Sequence, residues 1–191
     1  MSQLVINTWF PVAIGQVYCP FIDEIKDKYK NIIKKFEYDH NGFCDYPVHK
    51  NKKFGKLNKW IVENVNKYAK AHLYKDEYEI KDSWILDYPI GKGQPFHAHH
   101  GFTISCVFYL DAQKNDSPTI FSNPFIDMKN PTHTTLRNFK NIVLNDLTYQ
   151  QCEYLCETGK LVIFRSNVLH AVDPKQIKEK RIVFSYNFDP K

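Results

Sequence analysis

A mainly β fold with flanking helices, a jelly roll braced by two N-terminal α-helices, is what the sequence predicts, on three observations. Two amphipathic helical segments open the chain, helical periodicity stops near residue 76, and short β-branched or aromatic runs follow. About eight such runs, separated by polar or proline-containing turns, read as strands of a closed or double-sheet architecture. That closure also removes exposed strand edges. The chain has 191 residues, 43% of them hydrophobic, which fits one domain with a real core. Aromatic residues make up 15%, with 14 Phe and 12 Tyr, and favour a strand-rich interior.

In the first helix Phe21, Ile25, Tyr29, Ile32, Ile33 and Phe36 recur at helical spacing. Pro20 stands at its start, where a missing N–H costs nothing. The second helix carries Leu57, Ile61, Val65, Tyr68, Ala69 and His72 on one side. Each amphipathic face needs a surface to lie on, and one sheet of the barrel supplies it. The polar, poorly patterned stretch from Asp39 to Lys53 reads as a loop. Strands are expected at Tyr78–Tyr88, Phe102–Leu110, Thr119–Phe121, Thr132–Arg137, Asn141–Leu144, Lys160–Phe164, His170–Val172 and Arg181–Phe188. With no repeat and no linker, residues 1–75 form a helical support and 76–191 the β core of a single domain spanning 1–191.

Charge and cysteine usage narrow the function classes. The net charge of +5 comes from Lys scattered along helix faces, densest at Lys50, Lys52, Lys53, Lys56 and Lys59. That run reads as a solvated loop and helix start rather than a nucleic-acid patch, and no aromatic-interleaved basic stripe suggests base stacking. The five cysteines (Cys19, Cys44, Cys106, Cys152 and Cys156) are odd in number, contain no C-x-x-C, and suit a reducing, cytoplasmic setting. Residues 1–10 lack the pattern of a signal peptide, and no stretch approaches the roughly 18 apolar residues of a membrane span.

The chemistry gathers around Phe96-His97-Ala98-His99-His100-Gly101. On an extended strand, side chains two apart share a face, so His97 and His99 point one way and His100 the other. Such a pair chelates a metal at little ordering cost. A third ligand from a distant strand completes one triangular face of an octahedron and leaves three positions open, the geometry of non-haem iron oxygenases. His170, after the apolar run Leu161 to Phe164, is the candidate third ligand. His100 is the alternative second ligand if the strand bulges. His40, His49, His72 and His133 have no such company and read as ordinary core or surface residues.

Downstream, Arg181, Val183, Ser185 and Asn187 alternate with Ile182, Phe184, Tyr186 and Phe188. The second set implies core. The first puts an arginine on an inward face, where an unpaired charge is costly and a bound carboxylate is the natural partner. Tyr109, in Thr103 to Leu110, is placed to add a hydroxyl to the same carboxylate.

Tyr88-Pro-Ile-Gly91-Lys-Gly-Gln94-Pro-Phe-His97-Ala-His99 resembles the prolyl 4-hydroxylase-type signature Y-x-x-G-x-x-Y-x-x-H-x-D of 2-oxoglutarate/Fe(II)-dependent oxygenases. It matches at Tyr88, Gly91 and His97, with Gln94 for the second Tyr and His99 for the Asp. Cys106 to Leu110 resembles the family strand whose tyrosine touches the 2-oxoglutarate C5 carboxylate. The stretch from Gly159 to Val172 resembles the segment leading to the distal iron ligand, and Arg181 to Ser185 the strand whose Arg pairs with that carboxylate. Trp9-Phe10-Pro11-Val12 and the closing Arg181 to Asn187 are similar to small oxygenases of bacteria and phages.

The resemblance implies a double-stranded β-helix of cupin-like form, Fe(II), 2-oxoglutarate and O₂ as cofactor and co-substrates, and His97, His99 and His170 as metal ligands. Arg181, Tyr109, Ser185, Tyr88 and Asn187 are then the co-substrate residues, and the reaction a hydroxylation of a small-molecule or peptidyl substrate, of prolyl or related residues. His99 departs from the family, since three neutral imidazoles leave the iron site one unit more positive than the usual triad. Two other readings stay open: a three-His cupin-type dioxygenase that does not use 2-oxoglutarate, and a non-catalytic metal-binding or sugar-binding jelly-roll module. The loops at Asp39 to Lys53 and Phe125 to Thr134 are candidate substrate lids.

Overall fold

The computed structural model describes residues 12–124 and 151–191. The expected strands at 132–137 and 141–144, His133, the 125–134 loop and Trp9-Phe10-Pro11 lie outside the described residues. In chain order the elements are β1 (Gly15–Tyr18), α1 (Ile22–Ile33), β2 (Phe43–Cys44), α2 (Gly55–Ala71), β3 (Tyr78–Asp87), β4 (Gln94–His97), β5 (Ile104–Asp111), β6 (Thr119–Ser122), β7 (Gln151–Tyr154), β8 (Lys160–Arg165), β9 (His170–Val172) and β10 (Ile182–Pro190). All the strand pairs are antiparallel. One sheet runs β1-β8-β5-β10-β3-β2 and the other β4-β9-β6-β7. The two form the double-stranded β-helix that the strand pattern implied.

Alternation decides what each face of the six-stranded sheet meets. On β5, β8 and β10 the residues Ile104, Cys106, Phe108, Leu161, Ile163, Ile182, Phe184, Tyr186 and Phe188 join one core with the helices. Helix α2 supplies Leu57, Ile61, Val65 and Ala69, and α1 supplies Ile25, Tyr29 and Ile33. Edge-to-face ring contacts, Phe54 on Phe184 and Trp60 on Phe108, key the helical layer to the sheet. The opposite parity, Tyr109, Val162, Phe164 and Val183, meets Phe121 of the second sheet in a smaller core. The helices therefore brace one sheet from outside, and the inner face is left to line a cleft.

Three details differ from expectation. The stretch 39–53 is not all loop: Phe43–Cys44 pairs with β3, and two single turns of 3-10 helix (Val48–Lys50 and Lys52–Phe54) lead into α2. A pairing of two residues has no periodicity to read. Helix α1 starts at Ile22, with Phe21 as its N-cap, so Pro20 stands just before it. Strand β1 lies on the sheet edge beside β8. The five cysteines are unpaired. Among the described residues no helix is long and apolar enough to cross a membrane.

Candidate active site

Strands β4 and β9 bring two histidines together by register. His97 pairs with His170 across the ladder, after a shift between Gln94 and His97 that leaves the bulged strand re-aimed toward its neighbour. Gly93 makes the approach achievable. A Cβ there would meet the Val172 carbonyl oxygen at 2.3 Å, so only glycine lets β4 close on β9. His99 lies beyond the end of β4, held by its own N–H donating to the Ser166 carbonyl at 2.8 Å. Its convergence with His97 therefore comes from this loop anchor rather than from strand alternation. His100 is exposed in the following turn, and the triad is made without it.

The ring nitrogens are sorted by what they face. Nδ1 of His97 donates to the Pro95 carbonyl at 2.9 Å, and Nδ1 of His170 to the Val168 carbonyl at 3.0 Å. A carbonyl only accepts, so both Nδ1 atoms carry the proton and both Nε2 atoms are bare. Nδ1 of His99 faces Asn187 Oδ1 at 2.7 Å, which directs its Nε2 inward too. The Nε2 atoms of His97 and His99 stand 3.2 Å apart, and one ligand atom from each of the three rings lies within 4.8 Å of the others. Among the described residues this is the one such grouping. Two imidazoles holding one ion at about 2.1 Å in adjacent positions have nitrogens about 3 Å apart. Without an ion, the converging lone pairs repel. The donor set fits a divalent metal that takes nitrogen. Burial keeps His170 neutral, pushing its pKa down to about 3, and lowers that of His99 as well.

These rings open on a cleft of about 560 Å³. Val183, Ser185 and Asn187 on the inner face of β10 form its floor, with Arg181 one residue before the strand also lining it, the set expected from alternation. Arg181 is 1% exposed and has no ion pair among the described residues. Its Nε donates to Cys156 Sγ at 3.3 Å, while Nη1 is buried with no partner. The guanidinium carbon lies 5.6 Å from the Tyr88 ring and 5.4 Å from the Tyr109 ring. A buried cation between two aromatic faces with an open donor is built for an anion.

Two of the residues expected on the co-substrate, Tyr109 and Asn187, have partners of their own. Tyr109 is fully buried, its hydroxyl paired with Thr119 Oγ1 at 2.6 Å, and Thr119 is the residue on the cleft wall. The Asn187 side-chain oxygen is occupied by His99 and by the Ser105 hydroxyl at 2.7 Å, so it orients a histidine. Tyr88 is buried on the cleft wall with its hydroxyl 3.5 Å from Gln94 Oε1, and Ser185 lies between Val183 and Asn187 on the floor. Sequence reasoning missed Cys156, whose thiol donates to the Ser117 carbonyl at 2.9 Å while accepting from Arg181. It also missed Thr119 and Trp84, whose indole centroid is 5.4 Å from the His99 ring. Only Trp84 had a signal available, its parity with Asp82 and Leu86 on β3.

Residues 82–187, more than half of the chain, match the family model described as "Putative 2OG-Fe(II) oxygenase". No curated protein matches the chain in sequence. Solved structures with the same fold include HygX from Streptomyces hygroscopicus with nickel and 2-oxoglutarate bound, at 11% identity over 94% of this chain and 84% of that one, TM-score 0.61. A prolyl-4-hydroxylase from Pseudomonas putida covers 94% of each chain at 14% identity, TM-score 0.59. SnoN, a non-heme alpha ketoglutarate dependent epimerase from nogalamycin biosynthesis, aligns at 10% identity over 94% of this chain and 79% of that one, TM-score 0.65. At these identities the likeness speaks for the fold.

Proposed function

The chain belongs to the family of 2OG-Fe(II) oxygenases, and from that premise we propose that His97, His99 and His170 hold the iron and that Arg181 grips the far carboxylate of 2-oxoglutarate. As a member it is an enzyme that uses Fe(II), 2-oxoglutarate and O₂. The observation that carries the assignment of residues is the convergence of three histidines, two with the proton fixed on the outer nitrogen by a backbone carbonyl. Bound there, iron supplies the activation of O₂ that couples decarboxylation of 2-oxoglutarate to oxidation of a substrate.

The chain's own residues do the rest. Arg181 offers its open Nη1 to the carboxylate, and Cys156 fixes the guanidinium plane by accepting from Nε. Ser185 and Thr119 add hydroxyls to the same cleft, Tyr109 acting through Thr119. Asn187 keeps the His99 ring turned inward. Val107, Val172, Val183 and Leu86 line the wall with apolar surface that keeps water from the reacting groups. The reaction we assign is hydroxylation of a small-molecule or peptidyl substrate. HygX, crystallised with hygromycin B, and the prolyl-4-hydroxylase mark those two substrate types among proteins of this fold. We treat 1–191 as a single domain.

The test is an anaerobic titration of the protein with Fe(II) and then 2-oxoglutarate, followed by admission of O₂. A weak visible charge-transfer band that appears only with both, and is lost in His170→Ala, is the expected outcome, with succinate formed after O₂ enters. Iron binding that survives His170→Ala overturns the ligand assignment. Oxidation without succinate transfers the protein to the three-His dioxygenases independent of 2-oxoglutarate.

A further inference from the structure

Metal and co-substrate give roles to the β10 and β4–β9 sides of the cleft and leave its β2–β3 side without one. Asp82 and Trp84 share the cleft face of β3. Asp45 follows β2, which pairs with β3 (Phe43 opposite Leu86, Cys44 opposite Ile85) and ends there in a tight turn, the Tyr46 N–H donating to the Cys44 carbonyl at 2.8 Å. The indole thus has one carboxylate two residues along its own strand and shares the cleft with a second, exposed one in the turn after β2. All three line the cleft, and Trp84 is half-buried against the ring of His99.

Neither carboxylate is in an ion pair among the described residues. Among the described residues Asp82 accepts the Ser83 N–H, at 2.8 Å, and its charge acts on the imidazoles of His49 and His99. No lysine lines the cleft among the described residues, and its single guanidinium, Arg181, is buried with an open donor aimed at a ligand.

The charges can be summed on the reading given above. The metal dication and the 2-oxoglutarate dianion cancel, the imidazoles are neutral, and Arg181 adds one positive charge. Asp45 and Asp82 set two negative charges against it, both on the β2–β3 side. A loaded cleft is therefore short of one cation, and an anionic substrate would meet two like charges.

We propose that the substrate carries a protonated amine or guanidinium, seated on the Trp84 indole between Asp45 and Asp82, with its adjoining carbon chain held toward the three histidines. The ring quadrupole attracts a cation over its face, and the flanking carboxylates give charge-assisted hydrogen bonds. The cleft volume admits 2-oxoglutarate together with one extended aliphatic chain. Substrate specificity is then set by Asp45, Asp82 and Trp84. This inference rests on the oxygenase reading of the same site.

The experiment is calorimetry on anaerobic protein loaded with Fe(II) and 2-oxoglutarate, the visible band reporting the loading. The probes are cadaverine as a free amine and the amides of acetyl-lysine, acetyl-norleucine and acetyl-glutamate as peptidyl side chains. At least one cationic probe binds about tenfold tighter than the norleucine amide, and the glutamate amide binds weakest. Cadaverine or the lysine amide as the better ligand separates free from peptidyl substrates. In Asp45→Asn/Asp82→Asn the cationic preference vanishes, and in Trp84→Leu it falls. Equal binding of cationic and neutral probes in band-positive protein, or a preference that outlives the double substitution, overturns this inference alone. Absence of the band in the parent protein takes down the site reading together with it.

Discussion

Arg181 is the bulkiest of the fully buried side chains, and no acid stands beside it among the described residues. A buried guanidinium left in that state costs stability, so evolution of the fold alone would replace it with an apolar group. Arg181→Met should therefore weaken 2-oxoglutarate binding by about 2–5 kcal/mol, the usual cost of stripping one partner from a buried charge pair. Its melting temperature should hold or rise. Calorimetry and a thermal melt on one preparation test this, and a joint fall in both would make Arg181 a structural residue. Asn187 acts one step further from the ion. Asn187→Ala frees His99 to rotate, and Fe(II) affinity should drop roughly 10–100-fold with 2-oxoglutarate affinity little changed, read by competition against a chromogenic chelator. Arg181 and the histidines were legible in the sequence because each belongs to a short local pattern: alternation on β10, H-x-H beside a glycine-bearing turn, and a histidine after an apolar strand. Asn187 as a ring holder and Cys156 as the arginine's acceptor were not, because each role depends on which strand lies next to which.

Glu157 shows what the connections between elements contribute. It stands in the turn between β7 and β8 and takes Lys160 on β8, Lys114 in the β5–β6 loop at 3.0 Å and the Tyr18 hydroxyl on β1 at 2.8 Å. Hydrogen bonds from Lys160, then Lys114 and Tyr18, pull its pKa from 4.5 down to about 2. A carboxyl depressed by folding adds stability above its unfolded value and loses it as protons fill the folded site. The contribution of Glu157 is thus whole above about pH 4.5 and decays toward pH 2. Lys160 is nearly buried, at 5% side-chain exposure, so Glu157→Gln leaves a poorly solvated ammonium. Urea melts should give a loss of about 1–3 kcal/mol at pH 7 and a shallower decline on acidification. Strands β3, β5, β8 and β10 could be read in advance from their β-branched and aromatic runs, as could both helices from their periodicity. Strands β2 and β7 could not: the first is two residues long, and the second, Gln151–Tyr154, is solvent-facing and shows no alternation.

At the scale of the molecule, two helices cover one sheet from outside and the second sheet closes over its inner face, leaving a cleft whose chemistry is graded from end to end. The fold class followed from a change of periodicity near residue 76, a property of the whole chain, whereas the substrate side of the cleft emerged only when β2 was docked beside β3. The register that sets His97 opposite His170 has a thermodynamic outcome as well. An ion shared by those rings acts as a rivet between distant stretches of chain, and because only the folded chain brings the rings together, its binding free energy adds to that of folding. Cohesion then becomes a function of iron supply: free Fe(II) at one hundred times its dissociation constant adds about 2.7 kcal/mol, and calorimetric scans with and without the ion should separate accordingly. A cell short of iron would hold this protein not only idle but also softer, and open to degradation.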